Sequence, residues 1–591
     1  MIVFRDQRAS VDPIQILTAL RLDVRRLASH ASPDHEETVQ LLISAGTLEA
    51  AVADAIFSSA DGTVPIARWL REAGCALGRA VWHTWENRPA AARRWLEQSA
   101  ATLAYLELQQ LPARVEVSVP EGYAYYAVYP EMYVEAARRF YHTHNPKNAV
   151  CLGLRSIGTS LSAVVAGTLE ELGCAVASFT LRPRGHPFAR RPVVTPELAE
   201  ILQREHEATF LLIDEGPGIS GSSLAGTAEL LSNLGIADDR IVLFPSWATD
   251  GVGLKSDQAR EHWARHKQFV VDFDEVWLTS GRLTRTLQPG ELREVSGGTW
   301  RRDLCARPED FPAVQPQHER RKYLYQPGAP GQAAHELSWL TFLGLESDKA
   351  GSKLRRAQQL AAAGFTPEPT SVMHGFLVSP FIPGSPLGAG EPVDAALLET
   401  LASYLAHISR TQATQPSVTD KALLDMVVTN VAGGLGDEWL CRLQTRLSEC
   451  GASWCERPVA LDGRMLPHEW IRTLSGYLKT DAVHHHDDHF FPGCQDIAWD
   501  VAGTCLEFNL EPHQRQQLIE RYRVLSRDSN ITARLPLHAI TYLAFRLGYT
   551  TLAASTLGQD SDGKRFKEAV LRYRERLRSE LGHTTSETWN A

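Results

Sequence analysis

Residues Phe210 to Leu224 read FLLIDEGPGISGSSL. Phe210–Ile213 is a four-residue apolar run with the length of a short buried strand. Asp214 and Glu215 follow at once, then Gly216, Pro217, Gly218 and a hydroxyl-rich turn. The apolar, alanine-containing segment beyond predicts a helix. This order sets the loop at the carboxyl edge of a sheet, where open α/β folds bind ligands. Adjacent carboxylates can accept hydrogen bonds from the two hydroxyls of a ribose. Ser220, Gly221, Ser222 and Ser223 leave N–H groups and hydroxyls free to wrap a phosphate at a helix N-terminus. The plain alternative is a strand-turn-helix whose acids are solvated or cap the helix.

A second unit of the same kind lies upstream. Val150–Leu154 is another short apolar strand. Arg155-Ser156-Ile157-Gly158-Thr159-Ser160 follows as a turn with a cation, a glycine and three hydroxyls, and LSAVVAGTLEEL has helical spacing. Between the two units, SFTLRPRGHPFARR (178–191) gathers Arg182, Arg184, Arg190, Arg191 and His186 among prolines and a glycine. Such a loop can close over an anionic leaving group and offset its charge, or remain a solvated surface loop.

These segments resemble the PRPP-binding motif of the type I phosphoribosyltransferases. The resemblance implies that Asp214 and Glu215 hold the ribose and that Ser220, Gly221, Ser222 and Ser223 hold the 5′-phosphate. It also implies that Arg155, Ser156 and Gly158 hold the pyrophosphate with Mg²⁺, and that Arg184 closes over it in transfer to a base-like nitrogen acceptor. Asp214 would help carry the metal. One extra residue between the acids and SGSS departs from the family spacing. The acids are expected to be exposed at the strand end, so that neutralising them costs little stability.

Residues 12–112 carry apolar residues at three- and four-residue steps and predict a helical region. Val115–Val119 reads as a strand, and the five tyrosines from Tyr123 to Tyr133 as packing at a domain edge or a stacking face for a base. Over 145–285, strands are expected at Val150–Leu154, Ala175–Leu181, Phe210–Ile213, Arg240–Phe244 and Phe269–Trp277. The fold class is thus α/β: a phosphoribosyltransferase-like parallel-sheet domain over 113–290, a helical segment over 1–112, and a mostly helical region over 300–591.

The last region has its own signals. Arg320–Tyr325 is strand-like around Lys322, LSWLTFLGL reads as a turn, and a helix follows in KAGSKLRRAQQLAAAGF. Further on comes GYLKTDAVHHHDDHFFPGCQDIAWDVAG (476–503). A small strand-rich lobe with a lysine, then helices with paired acids, resembles the aminoglycoside-phosphotransferase branch of the kinase-like fold. The resemblance implies that Lys322 binds nucleotide phosphates, that Asp481 is the catalytic-loop aspartate, and that Asp496 and Asp500 are a metal-binding acid or a structural turn. The cofactor would be ATP. Lys479-Thr480-Asp481 stands where His-Gly-Asp is usual, no glycine-rich loop precedes Lys322, and no asparagine follows. His484, His485, His486 and His489, with Asp487 and Asp488, hold enough donors for a divalent metal or form a polar loop.

Composition bounds the rest. The 591 residues suggest about three to four domains. With 70 acidic against 60 basic residues, net −10, nucleic-acid binding is not expected to dominate. Nine scattered cysteines without a CxxC pair fit reduced thiols, and no run approaches the ~20 apolar residues that span a bilayer. With no signal pattern in MIVFRDQRASVDP, these features predict a cytoplasmic protein acting on a phosphorylated sugar or nucleotide, without a membrane partner. Oligomeric state is not encoded legibly. A small-molecule kinase and a non-catalytic nucleotide- or PRPP-binding regulator are the alternative functions.

Overall fold

A computed structural model describes residues 1–3, 8–285, 287, 289–328, 337–451, 453–582 and 589, the side chains of 347–349 excepted. The chain divides into two compact units. The N-terminal unit comprises Asp6–Pro289 with Gly344–Ser347; the C-terminal unit comprises Met1–Arg5, Gly290–Leu343 and Asp348–Ala591.

The N-terminal unit is built on a parallel sheet of β1 (Asn148–Leu154), β2 (Ala175–Leu181), β3 (Thr209–Ile213), β4 (Ile241–Phe244) and β5 (Lys267–Gln268). Its strand order is β2-β1-β3-β4-β5. Ala149–Leu154 and Phe210–Ile213 are buried throughout, as central strands covered on both faces must be, and this makes them legible as apolar runs. Strand order reverses between β1 and β3, and that switch point is where such sheets open a crevice at their carboxyl ends. The expected strand over Phe269–Trp277 is absent. The fifth strand is the two-residue β5, and Asp274–Thr279 forms a π-helical turn that buries Val276 and Trp277.

Residues 1–112 do not stand apart as a helical region. They supply α1 (Pro13–Ala28), α2 (His35–Ile56), α3 (Pro65–Trp85) and α4 (Pro89–Leu106), which belong to the same unit as the sheet. The junction is tight: a Cβ on Gly78 of α3 would lie 2.2 Å from the Ala163 carbonyl oxygen of α6 (Gly158–Glu171). A side chain there would force the helices apart. By length and hydropathy α2 alone among the described helices could cross a bilayer, and 67% of its most apolar window is buried inside the unit. The tyrosine-rich segment is packing: Tyr123, Tyr125, Tyr129 and Tyr133 are buried, in part on α5 (Pro130–His144).

The C-terminal unit is less purely helical than expected. It opens with an antiparallel sheet of β6 (Gly290–Glu294), β7 (Lys322–Pro327), β8 (Ser338–Phe342), β9 (Ser371–Met373) and β10 (Phe376–Pro380), in the order β9-β10-β8-β7-β6. The segment read as a turn, LSWLTFLGL, carries β8, whose Leu340 and Phe342 are buried in alternation. Helix α8 (Ser347–Ala362) links β8 to β9. Beyond the sheet, α9 (Ala395–Thr411), a hairpin of β11 (Trp470–Thr473) and β12 (Gly476–Lys479), α10 (Ala498–Glu507) and α11 (Ile531–Leu557) close around a core containing Tyr404, Trp470, Trp499 and Tyr542.

Candidate functional sites

In the N-terminal unit the two loops singled out by sequence meet at the switch point. Gly158 makes the approach possible, since a Cβ there would lie 2.6 Å from the Ile213 carbonyl oxygen. Buried tyrosines back the loops: Tyr133 donates to the Asp214 carbonyl oxygen at 2.7 Å, and Tyr123 shares a 2.8 Å hydrogen bond with Ser160. The acids are not the exposed pair expected. Asp214 accepts from the Glu215 N–H at 2.8 Å, and Glu215 accepts from the Gly122 N–H at 3.1 Å. Burial pushes Asp214 up to about 7 and Glu215 up to about 8, the latter also raised by Glu121 and Asp214. Ser220 to Ser223 lie at the start of α7 (Ser222–Asn233), with Gly221 at φ +68° and the Ser222 hydroxyl donating to the Pro187 carbonyl at 2.8 Å.

The arginines depart from expectation. Arg155 is buried and already paired: Nε donates to Asp54 at 2.9 Å and Nη2 pairs with Asp61. Arg182 is also held by Asp54. Arg184 pairs with Asp61 at 3.1 Å and donates to the Phe57 carbonyl. The basic segment is therefore tethered at Arg182 and Arg184, and its outer part is held too, by the Ser222 hydroxyl on Pro187 and by Arg191 on Glu229 at 3.1 Å. Asp54 and Asp61 stand about a hundred residues upstream of Arg155, so no local pattern exposes the pairing.

In the C-terminal unit a cleft of about 200 Å³ is lined by Trp339, Thr341 and Phe381 from around the sheet and by Arg464, Glu469 and Asp481 from around the β11–β12 hairpin. Lys322 lies on β7, second in the sheet, directly opposite Thr341 of β8. Its ammonium lies in the cleft, 3.3 Å from Glu319 and 3.6 Å from Asp481.

Asp481 follows β12 of the hairpin. The loop Leu461 to Glu469 precedes the hairpin. Asp500 of α10 braces it by accepting from the Asp462 and Gly463 N–H groups, both at 2.8 Å.

Charges lining the cleft and buried beside it interlock. Lys479, fully buried, is 2.6 Å from Glu469 and 3.3 Å from Asp462. Tyr404 donates to Asp462 at 2.6 Å. Burial would raise Asp462, but Lys479 and His485 outweigh it and hold the carboxyl at about 2. His485 is pushed the other way: burial would lower it, yet Asp481 and Glu469 raise it to about 9. Asp481 stays well below the carboxylate range because His484, His485 and Lys322 overcome its burial.

Asp496 lies outside this group. It is wholly buried and accepts from the Glu456, Arg457 and Ala498 N–H groups at 2.8 Å and from Arg534 Nε at 3.1 Å. Its capacity is spent on holding chain segments together, which corrects its expected role as a metal ligand. Among the described residues, the three-donor groups compact enough for a metal ion are Asp481-His484-His485 and Asp462-Glu469-His485; neither includes Asp214 or Asp496. Glu319, Asp462, Arg464 and Glu469 escape a sequence reading because they are gathered from separate segments, and Lys479 is legible there only as a departure from a motif.

No family model and no curated protein matches the chain. Among solved structures it is similar to the choline kinase LicA from Streptococcus pneumoniae, at 13% identity over 51% of this chain and 98% of that one, TM-score 0.33. It is similar to a choline/ethanolamine kinase family protein from Mesorhizobium loti at 15% identity, covering 48% and 96%, TM-score 0.32. A thermostable aminoglycoside phosphotransferase mutant gives 13% identity, 51% and 99%, TM-score 0.31.

Proposed function

We propose that the C-terminal unit binds a nucleotide in its cleft and acts as a phosphotransferase toward a small molecule. The observation that carries this reading is the convergence of Lys322, Arg464, Glu469 and Asp481 between the antiparallel sheet and the braced loop. Lys322 and Arg464 supply donors for phosphate oxygens, and the apolar wall of Trp339, Leu377 and Phe381 suits a base. Phosphoryl transfer depends chiefly on positioning and charge stabilisation, so cations fixed beside the phosphates do the main part.

The magnesium pair of kinases does not fit the residues present. Magnesium demands oxygen donors in octahedral array. Glu469 already carries the Lys479 ammonium, and Asp481 is flanked by two imidazoles. No step is therefore assigned to magnesium.

Calorimetric titration of the full chain with ATP tests the reading. Binding is expected, with Lys322→Ala weakening it at least about tenfold, the equivalent of roughly 1.4 kcal/mol for a lost charge-assisted contact. Absence of binding by ATP, GTP and ADP alike would sink it.

A second reading concerns the N-terminal unit alone, where the Asp214-Glu215 loop and the Ser156–Ser160 turn adjoin at the switch point. That placement supports a site for a phosphorylated ribose such as PRPP, with the acids on the diol and the α7 N-terminus on the 5′-phosphate. Calorimetry with PRPP and Mg²⁺ is expected to show binding that disappears in the Asp214→Asn, Glu215→Gln double variant. Unchanged binding in that variant would remove these acids from the site.

A further inference from the structure

We propose that Asp481, His484 and His485 form a binding site for one divalent transition-metal ion of the zinc, cobalt, manganese or iron class. The site opens into the cleft of the C-terminal unit. The inference stands on the side-chain geometry and does not require that the cleft bind a nucleotide.

Three observations carry it. The first is spacing. His484 Nδ1 lies 3.4 Å from Asp481 Oδ1, and His485 Nε2 lies 3.6 Å from Asp481 Oδ2. Donors bound at about 2.0–2.2 Å to a tetrahedral ion stand roughly 3.3–3.6 Å from one another. Each imidazole faces one oxygen of the carboxylate at that separation, the three donor atoms lie within 4.8 Å of one another, and both contacts are longer than a good N–H···O hydrogen bond.

The second is an unmet valence. His484 is 2% exposed, and its Nδ1 has no hydrogen-bond partner. His485 uses its other nitrogen, Nδ1, toward Asp462 Oδ1 at 3.5 Å, and Tyr404 fixes that carboxylate. A carboxylate behind an imidazole holds its second N–H once an ion has displaced the proton from the far nitrogen, the arrangement that supports metal-bound histidines.

The third is the donor set. Asp462-Glu469-His485, the other three-donor group, is filled by the Lys479 ammonium. Two imidazoles and one carboxylate select borderline metals over magnesium or calcium. Three protein ligands leave a coordination position open for water or a ligand oxygen from the cleft.

The test is metal analysis of the full chain, purified without a histidine tag or chelator, followed by stripping and titration with Co²⁺ under visible absorption. About one metal per chain is expected, with cobalt d–d bands of low coordination number. His484→Ala and His485→Ala should each weaken Co²⁺ binding by more than about 100-fold, and Asp462→Asn by about 10–100-fold. His486→Ala, from the same run but outside the triplet, should leave binding unchanged. Wild-type protein that is metal-free as purified and gives no cobalt bands would overturn the site without reference to any variant. Equal losses from His484→Ala and His486→Ala would also overturn it, because they mark a non-specific histidine run.

Discussion

Replacing Lys479 by methionine is expected to destabilise the C-terminal unit by about 3–5 kcal/mol, the usual cost of removing one partner from a buried ion pair. The ammonium is 0% exposed and lies between Glu469 and Asp462. Without it two carboxylates remain in a low-dielectric interior, with Asp500 directly behind Asp462 on the loop backbone. Methionine matches the stem, so the loss reports charge and not packing. Scanning calorimetry of the full chain should show a lowered transition. Adding Glu469→Gln to Lys479→Met should restore part of it, because the two charges are coupled. An unchanged transition in the single variant would mean that water reaches the group and screens it.

The second large effect is a pH dependence of the N-terminal unit. Asp214 and Glu215 titrate near 7 and 8 in the folded state, against about 4 in the unfolded chain. Between those values the folded state binds more protons than the unfolded state, so stability falls as pH rises. The favourable contribution is complete below pH about 4 and is lost as pH climbs to about 8. Both side chains retain some exposure, which screens part of the effect. The Asp214→Asn, Glu215→Gln variant should therefore gain about 1–2 kcal/mol over wild type at pH 8 and none at pH 4. Urea unfolding of both proteins across that range checks it. A pH-independent difference would mean that the acids are fully solvated.

The same acids show how far the sequence carries. Their place at a strand end is legible because β1 and β3 are buried on both faces and stand out as apolar runs before glycine and hydroxyl turns. Their burial is not legible, since Gly122 and the tyrosines that cover them come from segments about ninety residues upstream. Arg155 fails for a similar reason. An arginine in a turn reads as a ligand-binding cation, and only the fold brings Asp54 and Asp61 against it.

In the C-terminal unit the histidine run and Asp481 are conspicuous, and their three- and four-residue steps already make them neighbours. Which acid follows the hairpin and which lysine faces the cleft depend on strand order. An antiparallel sheet with the order β9-β10-β8-β7-β6 allows Lys322 to reach from the second strand to the place opposite Thr341.

By itself, the sequence determined the parallel strand-loop-helix repeats, their order and the chemistry-bearing loops, because short-range hydrophobic pattern and turn composition act within a few residues. Tertiary structure alone decided which charges are neutralised and which remain available. Ion pairs and desolvation depend on distances through space, and the partners of Arg155, Asp462 and Asp496 lie far from them along the chain.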